Sequence, residues 1–300
     1  MHSLAHPLVI VNPAAGRGRA AVIHRQIEAY WLEQGIRAGF IVPASRDDVR
    51  SQASAAARTG HSAVIVLGGD GTAHQAINGM AASDLPFAIL PAGGGNDLAR
   101  AIGMPSDPID AAHSLLTGIT RRIDLLRLTD ATGRSCLYAG AGGAGIDADA
   151  AHLANTRFRR LPGMARYVAA AITAFRNAHP LEVTLTADGT ARTFSVLLAA
   201  VANTPSYGGG IHITPQARID DGFMDLALVA PLRWPQLLDG LLLALRNGDI
   251  RWPEIQRLRA RKIRLETNRP VVFHGDGEPL GETPVEIEVL PGALKILAPA

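Results

Sequence analysis

One glycine-rich loop, residues 67–72 with the sequence LGGDGT, constrains the fold of this chain more than any other feature. It follows the apolar run 63–66, which predicts a buried parallel strand, and it precedes residues 73–80, which predict a helix. Glycines at the carboxyl end of a strand let the backbone approach a ligand closely, and the N-terminus of the next helix favours an anion. Ligands of open α/β sheets bind at this edge. The loop therefore predicts an α/β fold with a site for nucleotide phosphates.

Two further loops have the same setting. Residues 12–18 (NPAAGRG) follow the apolar run 8–11, and residues 93–97 (GGGND) follow the apolar run 87–90. Because the carboxyl ends of parallel strands meet at one edge, the three loops are expected to converge there; tight turns without a ligand are the alternative. The chain has neither a Walker A motif nor a Gly-x-Gly-x-x-Gly loop with a ribose-binding acid, which excludes a P-loop enzyme and an ordinary dinucleotide dehydrogenase.

The alternation of strands and helices ends near residue 121. A helical stretch is then predicted over 149–177, with an interruption at Pro162-Gly163, and the remaining pattern of short strands and Gly/Asp turns indicates a β-sandwich. The predicted fold class is thus α/β, with an N-terminal parallel-sheet nucleotide-binding domain at 1–125 and a C-terminal β-sandwich domain at 126–300, whose last few residues can return to the first domain. The predicted strands are 123–129, 135–139, 181–187, 192–202, 222–229, 262–267, 271–274, 285–290 and 294–297.

Composition narrows the class of protein. The formal net charge is only +2, which implies no nucleic acid or other large polyanion as partner. The single cysteine, Cys136, excludes an intramolecular disulfide and any multi-cysteine metal site. No secretory signal is recognised at the N-terminus, and the longest apolar stretches, such as 237–245, are too short to span a bilayer. We therefore expect a cytoplasmic protein.

Acidic residues at glycine-rich positions are candidates for chemistry. Asp70 and Asp97 lie inside the loops, and Asp124 lies near the domain boundary. The second domain contributes Asp220-Asp221-Gly222 and Asp276-Gly277-Glu278. Phosphoryl transfer needs Mg²⁺ held by oxygen ligands and a base for the acceptor hydroxyl. The alternative is that the two Asp-Gly pairs are simple hairpin turns, and for either pair alone the turn is favoured.

The motifs resemble those of the diacylglycerol kinase catalytic family, in order and in approximate spacing. The similarity is to the bacterial YegS-like and diacylglycerol kinase branch, with sphingosine and ceramide kinases as more distant members. It rests on GGDGT at 68–72, PAGGGNDLAR at 91–100, DDG at 220–222, GDGEPL at 275–280 and IEVLPGAL at 287–294.

The resemblance implies ATP as co-substrate and Mg²⁺ as cofactor, with ATP and the acceptor meeting between the two domains. It implies Glu278 as the general base, with Asp276 and Asp70 as further catalytic residues. Asp221 matches a metal ligand, with the carbonyls of Arg218 and Phe223 as companions, and Asp97, Asp124 and Asp276 match acids of the surrounding water and metal network. The implied nucleotide contacts are Asn12, Pro13, Ala14, Ala15, Gly16, Ser45, Gly69, Asp70, Gly71, Thr72, Ala73, His74, Gln75 and Gly94.

Three positions depart from the family pattern. Gly94 stands where many members have a threonine, and His74 and Gln75 replace an asparagine and a glutamate. These changes affect the expected nucleotide preference more than the expected activity. For His74 a position on the helix surface is favoured over a phosphate contact.

The sequence defines the binding site for the lipid acceptor less closely than the site for the nucleotide. Segments 139–147 and 203–210 resemble glycine-rich cleft segments of the family, although their glycines also permit close packing. Residues 152–176 mix arginines (Arg157, Arg159, Arg160, Arg166 and Arg176) with apolar side chains. Such a mixture suits transient docking on the anionic inner membrane surface, and equally suits an ordinary solvated basic face.

The function predicted from these features is transfer of the γ-phosphoryl group of ATP to a hydroxyl of diacylglycerol, phosphatidylglycerol or a similar lipid. The expected partners are the lipid substrate at the membrane surface and a second copy in a homodimer. One alternative is an NAD kinase-like enzyme, which shares the GGDGT loop. The other is a nucleotide- or lipid-binding module without catalysis.

Overall fold

The computed structural model describes residues 4–81, 83–158, 160–161, 164–206, 211–246, 249–250 and 252–300. The chain divides into two compact units. The first comprises Met1–Leu125 with Pro291–Ala300, and the second comprises Leu126–Leu290. Among the described residues, no helix is long and apolar enough to cross a membrane.

The first unit contains a parallel sheet with the strand order β2-β1-β3-β4, and Ile296 near the end of the chain pairs in parallel with Phe87 on β4. Short 3₁₀ turns occupy Ala15–Gly18 and Leu115–Thr117. The elements are β1 (Leu8–Val11), α1 (Ala20–Glu33), β2 (Gly39–Ile41), α2 (Arg46–Ala56), β3 (Val64–Gly68), α3 (Asp70–Gly79), β4 (Phe87–Pro91), α4 (Asp97–Ala101) and α5 (Pro108–Ser114).

The central strands form where the sequence is continuously apolar. Every residue of β1, β3 and β4 is buried, as expected for parallel strands covered on both faces. Two helix starts follow capping rules: the Ser45 hydroxyl accepts from the Asp48 N–H at 3.1 Å, and Asp107 caps α5 ahead of Pro108. The α/β pattern predicted for this half of the chain is confirmed.

The second unit is built on two antiparallel arrangements of strands. One has the order β12-β11-β10-β7-β14-β15, and the other pairs β16, β13, β8 and β9 in that order. Strands β5 (Ile119–Asp130) and β16 (Val285–Ala298) each have residues in both units. The other elements are β6 (Ser135–Tyr138), β7 (Ala141–Gly145), α6 (Ile146–Asn155), α7 (Met164–Arg176), β8 (Leu181–Ala187), β9 (Thr190–Val196), β10 (Leu198–Ala202), β11 (Met224–Val229), α8 (Trp234–Leu245), β12 (Ile255–Ala260), β13 (Lys262–Thr267), β14 (Val272–Gly275) and β15 (Glu278–Glu282).

The core of the second unit is made by alternate residues of these strands, including Leu185, Leu226, Ile263 and Phe273. Tyr138 lies in this core with its ring centroid 6.1 Å from that of Phe273. Complete burial raises the pKa of Tyr138 well above its ordinary value. A phenol with so high a pKa stays neutral and serves packing.

Several predicted boundaries differ from the observed ones. The run 192–202 is two strands, because the chain passes from β9 to β10 at Leu197. The runs 285–290 and 294–297 are one strand, β16, and α8 was not predicted as a helix. The predicted basic docking segment 152–176 falls on α6, α7 and their connection. Residues 159 and 162–163, and the side chains of residues 152, 155, 164, 166 and 167, lie outside what the structure describes.

Replacement of Gly79 by alanine is expected to destabilise the first unit, although alanine is the better helix former. A Cβ at Gly79 would overlap the carbonyl oxygen of Arg50 where α3 packs on α2. We expect Gly79→Ala to lower the free energy of unfolding by about 1–3 kcal/mol in urea denaturation. The control is Ser51→Ala on the exposed face of α2, which is expected to change it by no more than about 0.5 kcal/mol. Equal stability of the two variants would contradict the packing.

Candidate active site

The three glycine-containing loops of the first unit lie against one another, as their positions after β1, β3 and β4 predict. A Cβ built on Gly93 would lie 2.7 Å from the Cα of Gly69, so these two backbones touch without intervening side chains. Asn12 joins the first loop to the second, because its Nδ2 donates to Thr72 Oγ1 at 3.0 Å. The sequence prediction that the loops share one sheet edge is confirmed.

Asp70 fastens the third loop to the second. Its Oδ2 accepts a hydrogen bond from the backbone N–H of Asn96 at 2.7 Å. Asn96 itself has a left-handed backbone (φ 55°), and its side chain bonds both the N–H and the carbonyl of Gly93 at 3.0 Å. A Cβ on Gly95 would lie 2.6 Å from Asp70 Oδ2, so the turn requires glycine there. Asp70 thus acts as an organiser of the loop.

The N-terminus of α3 faces this edge without a side-chain cap. Its N-cap residue is Gly69, and the first turn consists of Asp70, Gly71 and Thr72. Backbone N–H groups at such a terminus attract anions through hydrogen bonding and the helix dipole. Small residues along the loop leave room for a ligand to come close. The arrangement suits binding of phosphate oxygens by backbone groups.

The other predicted nucleotide contacts differ in burial and in hydrogen bonding. In the first loop, Asn12 Oδ1 accepts from the N–H of Ala14 at 3.1 Å, and Gly16 has φ 60°. Gly94 is exposed and Gln75 is half-buried. Ser45 serves as the cap of α2 described above. Pro13 and Ala15 lie in the first loop, and Ala73 follows Thr72 in α3.

His74 does not lie on the helix surface, and that preferred sequence interpretation was wrong. Its side chain is 4% exposed, and its Nε2 lies 3.4 Å from Asn78 Nδ2, one helical turn further on. The buried position results from α3 packing against neighbouring elements such as α2 as well as against its own strand. We therefore assign His74 to the interior of the unit.

Two acids that the resemblance places in a water and metal network have structural partners. Asp124 is buried, and its Oδ1 accepts from the N–H of Gly292 at 2.8 Å. Asp97, in the first turn of α4, pairs with Arg100 at 2.7 Å. Asp124 thereby holds the returning C-terminal segment within the first unit.

In the second unit, Asp276 and Gly277 form the tight turn that joins β14 to β15. Both have positive φ, 52° and 80°, as the turn interpretation of an Asp-Gly pair predicts. The Asp276 carboxylate accepts from the N–H groups of Ala139 and Gly140 at 3.0 and 2.8 Å. The turn is thereby fixed to the start of the glycine-rich segment. Glu278 follows at the first position of β15 and is half-buried.

Asp221, the predicted metal ligand, pairs with Arg259. Its Oδ1 also accepts from the Phe223 N–H at 3.1 Å. The same guanidinium has its Nε 3.6 Å from Asp225 and stacks on the Phe223 ring, 4.6 Å from the centroid. Burial raises the pKa of Asp225, an effect that Arg259 opposes and the nearby Asp221 reinforces. Arg259 is therefore the cation that compensates two neighbouring carboxylates.

The oxygen atoms available at Asp221 are of the chemical type that binds a hard cation. A carboxylate and the backbone carbonyls of Arg218 and Phe223 are oxygen ligands of the type that Mg²⁺ takes together with water. Within the described part of the chain no group of three His, Cys, Asp or Glu side chains is arranged to hold a metal. Because Arg259 pairs with Asp221, a cation must compete with the guanidinium for that carboxylate.

A cavity of about 520 Å³ in the second unit is the candidate acceptor site. It lies where β7 ends and α6 begins, at Gly145 and Ile146, and its wall includes Pro279, the residue after Glu278. Leu181, Leu197 and Val271 supply apolar surface, and Asp149, His179 and Arg269 supply polar groups.

Glycines of segment 139–147 also serve packing, because a Cβ on Gly142 would overlap the carbonyl oxygen of His274 on the neighbouring strand. The other predicted cleft segment, 203–210, is described only to residue 206, where Asn203, Thr204 and Ser206 are buried.

Sequence reasoning gave no role to two residues that organise these sites. Asn96 holds the third loop, and an asparagine after a run of glycines is the type of residue that tolerates a left-handed backbone. Arg259 pairs with an acid 38 positions earlier, a contact that no local pattern reveals. Arginines alternate with apolar residues at 257, 259 and 261, and this pattern indicates a strand with one basic face but not the partner of Arg259.

Known proteins match both units. Residues 6–128 match the profile described as "Diacylglycerol kinase catalytic domain", and residues 140–298 match that described as "YegS C-terminal NAD kinase beta sandwich-like domain". "Diacylglycerol kinase" of Mycobacterium tuberculosis (strain CDC 1551 / Oshkosh) is 32% identical over 300 residues, covering 99% of this chain and 96% of the relative. "Probable lipid kinase YegS-like" of Pseudomonas aeruginosa is 31% identical over 258 residues, covering 84% and 82%.

Solved structures agree with the fold. The crystal structure of a diacylglycerol kinase from Bacillus anthracis str. Sterne matches with a TM-score of 0.79 at 25% identity, and the match covers 98% of this chain and 97% of the other. The predicted combination of an α/β domain with a β-sandwich domain is therefore confirmed.

Substitution of Asp276 by asparagine is expected to destabilise the second unit. The carboxylate accepts from two backbone N–H groups, and in the variant one of them would face the amide NH₂ group instead of an oxygen. We expect Asp276→Asn to lower the free energy of unfolding by about 1–3 kcal/mol, measured by chemical denaturation. Asparagine tolerates positive φ, so backbone strain does not contribute. Asp220→Asn, at a partly exposed side chain 3.7 Å from Arg218, is the control and should stay within about 0.5 kcal/mol. An unaffected Asp276→Asn would contradict the anchoring role.

Proposed function

The chain belongs to the diacylglycerol kinase family of lipid kinases, and from this membership we propose that it transfers the γ-phosphoryl group of ATP to a lipid hydroxyl in a Mg²⁺-dependent reaction. Diacylglycerol and phosphatidylglycerol are the candidate acceptors. The family supplies the reaction class, and the chain's own residues supply the proposed roles below.

Backbone groups of the first unit are proposed to hold the triphosphate. The N-terminus of α3 offers N–H groups, the touching glycines Gly69 and Gly93 carry no side chains that would obstruct a ligand, and the only two lysines, Lys262 and Lys295, lie outside the three loops. Asp70 contributes by fixing the third loop through Asn96. Phosphate binding in this proposal comes from positioned backbone dipoles.

Glu278 is proposed to accept the proton of the lipid hydroxyl. The observation that carries this role is its half-buried placement at the first position of β15, directly after a turn that Asp276 anchors. Proton acceptance by a positioned carboxylate raises the nucleophilicity of the attacking oxygen.

Magnesium, when bound, neutralises charge on the transferred phosphoryl group. Asp221, with the carbonyls of Arg218 and Phe223, is the proposed holder in this chain. In the protein without metal, Arg259 compensates the Asp221 charge. The guanidinium therefore sets how readily the carboxylate accepts a cation.

Replacement of Glu278 by glutamine tests the proposed base. We expect Glu278→Gln to lower turnover by about 10²–10⁴-fold, because the amide cannot accept the proton, with unchanged ATP affinity and melting temperature. Turnover is measured with labelled ATP and dispersed diacylglycerol, phosphatidylglycerol or a total lipid extract, with NAD as a separate acceptor.

Glu282→Gln, at the exposed far end of β15, is the matched control and should retain full turnover. Wild-type turnover in Glu278→Gln would refute the assignment. Phosphorylation of NAD in preference to lipid would favour the NAD kinase-like alternative. Absence of any labelled lipid or NAD with the wild type would favour a binding module.

Removal of the Arg259 guanidinium tests the proposed metal ligand. Arg259→Gln leaves Asp221 and Asp225 without their shared counter-ion, so we expect lower stability without metal and a larger rise in melting temperature on addition of MgCl₂ than in the wild type. Arg261→Gln is the control, because Arg261 stacks on the same Phe223 ring, at 4.8 Å, while the ion pair with Asp221 belongs to Arg259. Identical Mg²⁺ responses in all three proteins would contradict metal binding at Asp221.

A further inference from the structure

Three large apolar side chains form a continuous exposed row on α8. Trp234, Leu238 and Leu242 are 44%, 51% and 54% exposed, and their spacing of four residues places them on one side of the helix. They are three of the eight large apolar side chains that are exposed in the described part of the chain. We call these three residues the α8 stripe.

The stripe is exposed because the opposite side of α8 is already packed. Gly240 lies so close to Trp252 that a Cβ there would overlap the indole ring. Leu243 and Trp252 pack against a buried cluster that includes Ile250 and Ile255. The indole N–H of Trp252 also donates to Asp239 Oδ2 at 2.9 Å. The helix is thus fixed to the unit by one face, and the stripe lies on its exposed side.

Positive charge flanks the stripe. Arg233 precedes Trp234 directly, Arg246 follows one turn after Leu242, and both are exposed. Phe175 on α7 makes an edge-on contact with Trp234 at 4.9 Å between ring centroids, which brings the exposed Arg176 to the same end of the helix. The acid on the helix, Asp239, is engaged by Trp252.

We propose that the α8 stripe docks on an anionic lipid bilayer, with its apolar side chains in the interface and Arg176, Arg233 and Arg246 on the headgroups. Exposed leucines beside a tryptophan and flanking arginines are the combination that binds such surfaces. The proposal rests on the proposed function for the kind of partner, which is a lipid surface. It assigns docking to α8 itself, outside the segment 152–176 singled out from the sequence.

The test is co-sedimentation of the full chain with vesicles of phosphatidylcholine and phosphatidylglycerol (7:3) and with vesicles of phosphatidylcholine alone. We expect Leu238→Gln/Leu242→Gln to weaken partitioning into the anionic vesicles by at least about tenfold. Arg233→Gln/Arg246→Gln should remove most of the preference for anionic vesicles. Because all four side chains are exposed, melting temperatures should stay at the wild-type value.

The matched control is Val22→Gln/Leu32→Gln, which removes two exposed apolar side chains from α1. They are 64% and 65% exposed, somewhat more than Leu238 and Leu242. It should partition like the wild type. Fluorescence gives a second readout: Trp31 is fully buried and Trp252 is half-buried, and both remain in Trp234→Phe, so a blue shift on vesicle addition that disappears in this variant reports insertion at the stripe.

Equal binding of the α8 and α1 variants would overturn the proposal, as would a wild type that does not bind anionic vesicles. A wild-type dimer in light scattering that the α8 double variant converts to a monomer, with unchanged vesicle binding, would assign the stripe to self-association instead. Binding is measured without ATP, so it can succeed where the kinase reaction fails. Turnover on short-chain diacylglycerol dispersed in detergent should be equal in wild type and α8 variant, which separates docking from catalysis.

Discussion

The contact between the backbones of Gly69 and Gly93 is the constraint on which the loop-bearing edge of the first unit depends. Parallel strands deliver the loops to one edge, but only residues without Cβ atoms let β3 and β4 continue into loops that touch. Once the loops are this close, one carboxylate, that of Asp70, can accept from Asn96 and stabilise the left-handed turn ahead of α4. The N-terminus of α3, which has no side-chain cap, begins in one of these closely packed loops.

Aspartates in this chain fix backbone as much as they offer chemistry. Asp70, Asp124 and Asp276 each accept from main-chain N–H groups of a segment distant in sequence. Charge-assisted bonds of this kind are stronger than neutral ones and hold loops in one geometry. The family motifs therefore combine two tasks. Their aspartates set the shape of the loops, and Glu278 is positioned by that shape.

Much of the fold follows from the sequence because its signals are local. Apolar runs such as 63–66 predict buried strands, and Asp276-Gly277 predicts its own turn. The interior position of His74 was not predictable, since it depends on how α3 packs against its neighbours. The pairing of Arg259 with Asp221 depends on strand neighbours far apart in sequence. Helix α8 was missed because the leucine-rich run 237–245 is a nearly continuous apolar stretch, which periodicity alone does not assign to a helix.

The first unit is completed by the last residues of the chain. Ile296 pairs with Phe87 at the edge of β4, and Gly292 bonds to Asp124. A ribosome makes these residues only after all of the second unit, so during synthesis the edge of β4 stays uncovered until residues 291–300 have been made. The first unit is consequently completed after the second. A chain that stops short of residue 291 lacks part of its first unit, whatever the state of its second.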